Sequence, residues 1–70
     1  MTGYAVVIED AGSSFSACVP DLPGRIAVGD TVDAVTVSIR EAIELHLEWL
    51  RDHGEPIPPA TSRAGTVRVA

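Results

Sequence analysis

The chain has no lysine, a single cysteine, one each of phenylalanine, tyrosine and tryptophan, and no long apolar run. Without lysine, Arg25, Arg40, Arg51, Arg63 and Arg68 are its only permanent cations, set against ten acidic residues for a net charge of −5. Scattered arginines do not form the cationic cluster that displaces counterions from a phosphate backbone, so direct nucleic-acid binding is not expected. A lone Cys18 cannot close an internal disulfide, and two histidines with one cysteine do not make a structural zinc site. No stretch approaches the roughly 20 apolar residues needed to span a bilayer. The opening Met1-Thr2-Gly3-Tyr4 lacks the basic start and apolar core of a secretion signal. These absences point to the cytoplasm, with Cys18 as a reduced, buried small residue.

What is present is 46% hydrophobic residues in 70. A chain of this size forms one domain, residues 1–70, and buries only about 60% of its unfolded surface, so it is marginal alone. With no disulfide or metal to add stability, self-association is the expected supplement, as a homodimer or larger assembly.

Tyr4 to Glu9 is aromatic and β-branched and runs into Asp10-Ala11-Gly12-Ser13, which reads as a strand and a turn. Ser14 to Val19 alternates, with Phe15, Ala17 and Val19 on one face and Ser14, Ser16 and Cys18 on the other. The short connection makes these two strands an antiparallel hairpin. Val19-Pro20-Asp21-Leu22-Pro23-Gly24 follows, two prolines that fix φ around Asp21 and Leu22 and a glycine free to take positive φ. That is a rigid corner, after which Arg25 to Val28 is a brief third strand ended by Gly29.

Asp30 or Thr31 is placed to cap a helix, with Asp33 near its positive end, and Gly54 and Pro56 stop it after His53. At helical spacing Val32, Val35, Ile39, Ala42, Ile43, His46, Trp49 and Leu50 form one stripe, opposite Arg40, Glu41, Glu44, Glu48 and Asp52. Val37 and Leu45 lie off the stripe and are assigned to a contact between subunits. Residues 55–63 read as an extended connector, and Thr66-Val67-Arg68-Val69 alternates like a final strand. The fold class is α+β: a three-stranded antiparallel meander, one long amphipathic helix across it, and a C-terminal strand, in the order β-β-β-α-β.

The order of these signals from Tyr4 to about Pro59 resembles the HicB-like antitoxins: a strand ending in Glu9-Asp10, a second running into PDLPG, a GDT helix start, and a helix closing with Gly54-Glu55-Pro56-Ile57-Pro58. The resemblance implies a truncated ribonuclease H-like fold. It also implies an antitoxin that neutralises a small basic mRNA-cleaving toxin of the HicA type by protein–protein contact. An acidic chain suits a basic partner, because opposite charge speeds encounter. The family often has cysteine directly after PDLPG, where this sequence has Arg25, and many members add a DNA-binding module, for which no separate domain is expected here. A different class of reading is a free-standing, non-enzymatic oligomeric scaffold or small-ligand-binding domain of the same fold.

Catalysis is not expected, and neither a cofactor nor a metal. Glu9, Asp10 and Asp21 could converge around a divalent ion, but Val6, Val7 and Ile8 leave the interior of the first strand without a carboxylate. His46 reads as a core histidine, and His53 as a residue favourable to the helix C-terminus. Asp10, Asp21 and Leu22 are the candidate partner contacts, Leu22 because a leucine exposed between two prolines is already ordered for binding.

Overall fold

The protein is described by a computed structural model, which covers residues 3–70. Three strands, β1 (Val7–Asp10), β2 (Phe15–Cys18) and β3 (Ile26–Gly29), precede one helix, α1 (Val32–Asp52). The strands form an antiparallel sheet in the order β1-β2-β3. Ile8, Ala17 and Ala27 align in one cross-strand row, and Val7, Cys18 and Ile26 in the next. Side chains of neighbouring rows point to opposite faces. The first row therefore faces the helix and the second faces away.

The core is Ala17, Val19 and Leu22 from β2 and its corner with Val35 and Ile39 from α1, flanked by Tyr4, Val6, Phe15, Ala27 and Ile43. The alternation of β2 and the spacing of the helix stripe thus meet as expected. The helix lies over β3 and β2, and all four residues of β1 remain exposed. Cys18, expected to be buried, is exposed because it occupies the face that no helix covers.

The corner is two linked turns. Leu22 N–H donates to the Val19 carbonyl at 3.0 Å and Arg25 N–H to the Leu22 carbonyl at 3.1 Å. Each turn has proline at its second position, and the second has Gly24 at its third with φ of 84°, the combination a type II turn requires. Leu22 belongs to both turns, and the double bend drives its side chain inward.

Thr31 caps the helix, its Oγ1 accepting from Ala34 N–H at 3.0 Å. At the other end Glu55 N–H donates to Leu50 at 2.8 Å and Gly54 N–H to Arg51 at 3.2 Å, the paired bonds that close a helix at glycine. Beyond it the chain is extended. The expected fourth strand over Thr66–Val69 is not formed in the protomer: Val67 and Val69 are 85% and 83% exposed, with no ladder partner among the described residues.

Candidate partner-binding surface

The helix is much longer than the sheet beneath it. Its 21 residues span about 31 Å at 1.5 Å each, whereas a four-residue strand covers about 13 Å. The C-terminal half of α1 therefore overhangs. Val35 and Ile39 are buried over the sheet and Leu50 is buried beyond it, while Trp49, expected in the core stripe, is 51% exposed and Leu45 67%. Val32, also expected inside, is 47% exposed at the first turn.

On the overhang the indole of Trp49 stacks on His53, ring centres 3.9 Å apart and planes at 17°. His53 Nδ1 lies 2.8 Å from the Trp49 carbonyl oxygen, so Nδ1 carries the proton. Leu45, His46 and Trp49 with Arg25 from the corner line a hollow of about 350 Å³. His46 is half-buried at its wall. The Nε of Arg25 is buried without an acceptor in the protomer. Glu41, Glu44, Glu48 and Asp52 run beside this apolar patch at spacings of three and four, all exposed. An aromatic anchor next to arginine and rimmed by charge is the composition of a protein-binding surface.

The residues selected from sequence are not brought together. Asp10 stands across from Phe15 and Gly29, at the end of the sheet from which α1 starts; it is exposed, and one oxygen accepts Gly12 N–H at 2.8 Å. Asp21 sits at the opposite end. Among the described residues no group of three or more His, Cys, Asp or Glu is arranged around a metal position, and no helix is long and apolar enough to cross a membrane. Leu22 is only 1% exposed, which corrects its reading as a partner contact: it is spent on this chain's own core. Val37 is 54% exposed on the helix and, with Leu45, remains available for contact.

Asp21 is also engaged internally. Its two oxygens accept four hydrogen bonds, from the N–H groups of Thr61 and Ser62 at 2.9 Å each and from their hydroxyls at 3.1 and 2.8 Å. Together with Tyr4 O–H donating to the Pro58 carbonyl, this clamps the connector across the end of the sheet. The Ser62 backbone and hydroxyl bonds, and then those of Thr61, hold the Asp21 carboxyl below its ordinary value of 3.8. A lowered value means the folded state favours the carboxylate, so the contribution is complete above 3.8 and is lost as pH falls through the lowered value. Amide hydrogen exchange at Thr61 and Ser62 should accordingly be slow at pH 5 and accelerate, relative to intrinsic rates, as pH falls through the lowered carboxyl value. In Asp21→Asn it should be fast throughout. Equal protection in the variant would contradict the clamp.

A family model described as HicB-like antitoxin of bacterial toxin-antitoxin system matches residues 4–68. A UPF0150 protein of Thermoplasma acidophilum is 35% identical over 65 residues, covering 91% of this chain and 94% of that protein. An uncharacterised 14.9 kDa protein from the rep-hol intergenic region of Haemophilus phage HP1 is 33% identical over 55 residues, 79% of this chain. The match spans 41% of the phage protein's length. No solved structure gives a significant match.

Proposed function

The chain belongs to the HicB-like antitoxin family of bacterial toxin–antitoxin systems, and from that membership we propose that it binds and neutralises a small basic ribonuclease toxin of the HicA type. It does so by contact alone, without catalysis, in the cytoplasm and as a homodimer or larger assembly. The observation that carries the reading is the overhanging half of α1, where Leu45 and Trp49 lie exposed beside a continuous row of carboxylates. An acidic rim steers a cationic partner, and the apolar centre supplies the burial that holds it. Asp10, exposed at the end of the sheet where α1 starts, stands apart from this surface as a second candidate contact; Asp21 and Leu22 act within the protomer. The truncated ribonuclease H-like arrangement and a single domain over residues 1–70 belong to the same reading.

The test is co-expression with a small basic protein encoded next to this one. The two should co-purify, and the complex should cleave RNA more slowly than the basic protein alone. A neighbour that cuts RNA equally fast with this chain in excess would favour the free-standing oligomeric scaffold instead.

A further inference from the structure

We propose that Thr66–Val69 of one copy adds as a fourth strand to the β1 edge of a second copy, so that two copies exchange their C-terminal segments. The proposal rests on the self-association proposed above and names its surface.

The protomer leaves both halves of this contact open. It exposes 5382 Å², whereas a compact monomer of 7.3 kDa is expected to expose about 4,200 Å². Its radius of gyration is 13.5 Å, against about 11 Å for a compact chain of this length. The excess of about 1,200 Å² is on the scale of what one partner buries in a stable complex. Much of it is the tail, exposed throughout residues 63–70. On the sheet, β1 and β3 each keep one unpaired edge.

Charge and shape select β1. Residues 63–70 carry two arginines and no acid, while the rest of the chain carries ten acids and three arginines. Glu9 and Asp10 lie on β1, and β3 has no acid from Ile26 to Gly29. Carboxylates on an open edge discourage indiscriminate pairing but admit a strand bearing Arg68. On the helix side, Val6 with Ile39, Ile43 and Leu47 lines a groove of about 590 Å³ next to β1, because the helix lies over the other two strands. A strand placed there with Val67 and Val69 inward would cover Val6 and Ile8, and its alternation would set Arg68 outward beside Glu9.

The path of the tail points to a second copy. Tyr4 leads into β1, and β2 leaves through Val19 into the corner that holds Asp21, so at this end of the sheet Tyr4 is on the β1 side and Asp21 on the β2 side. The connector passes Pro58 at Tyr4 and then Thr61 and Ser62 at Asp21. It therefore crosses from the β1 side towards β2 and leaves its own β1 edge behind. A two-fold pair of such tails closes on itself, as exchanged segments do.

Sedimentation equilibrium of the full chain at micromolar concentration tests this, together with an isotope-filtered NOE experiment on a mixed-label sample. Wild type should be a dimer, with NOEs from Val67 and Val69 methyls to Val6 and Ile8 methyls only between differently labelled copies. Val67→Asp with Val69→Asp should weaken the dimer at least ~10-fold and leave the helical circular dichroism intact, since both side chains are exposed in the protomer. Glu9→Arg should weaken it about two- to fivefold, and adding Arg68→Glu should restore it. A dimer indifferent to the double aspartate substitution, or NOEs within one copy, would overturn the strand exchange while leaving self-association standing. A wild-type monomer would overturn both.

Discussion

Replacing Leu22 with alanine is expected to destabilise the protein by about 2–5 kcal/mol, the cost of removing a buried leucine and leaving its space partly empty. A domain of 70 residues has only about 4–10 kcal/mol in total, so this one change should leave much of the chain unfolded near 37 °C. Leu22 is 1% exposed and packs with Ala17, Val19, Val35 and Ile39. Little can close over the gap, because two proline turns fix the backbone on both sides. Urea denaturation checks it: the midpoint should fall with an unchanged slope. A loss below ~1 kcal/mol would mean that Leu22 is not the plug of this core.

Gly29→Ala is the second large effect, and its cause is steric. A Cβ on Gly29 would stand 2.7 Å from the Val35 nitrogen and 3.0 Å from its Cα. Both are backbone atoms of the first helical turn, so no side chain can rotate away, and β3 or α1 must shift. Overpacking of this kind costs about 1–3 kcal/mol, and valine at the same position should cost more. Gly65→Ala is the control: nothing lies within 4 Å of its Cβ position, and its effect on stability should stay within ~0.5 kcal/mol. Equal midpoints for the two alanine variants would contradict the close approach of β3 to α1.

Both residues show what a sequence can and cannot disclose. The alternation of Phe15, Ala17 and Val19, the Thr31 cap and the glycine stop are local, and the structure carries each of them out. The proline corner was legible as a corner, but the direction of its middle side chain depends on how two turns combine. Leu22 therefore turns inward where sequence reasoning set it outward. Trp49 fell on the apolar stripe, yet a stripe does not say where the sheet beneath it ends. Comparing the long helix with the short strands beneath it, which the structure shortens further to four residues each, was the available signal for the overhang. Asp21 was visible as an acid between prolines; that its four donors come from residues 40 and 41 positions later is a long-range fact no local pattern encodes. The last strand reads clearly in Thr66–Val69, but a strand needs a partner, and in the protomer these residues pair with none among the described residues.

The central claim is that the overhanging acidic half of α1 captures a basic protein. Calorimetric titration of the adjacently encoded basic protein into wild type and into Glu44→Lys with Glu48→Lys tests it most directly, at low and at physiological salt. Both positions are exposed, so the variant should fold as wild type does. It should bind at least ~10-fold more weakly at low salt, and the gap should narrow as salt screens the charges. Unchanged affinity at both salt concentrations would contradict the claim and move the binding surface off this helix.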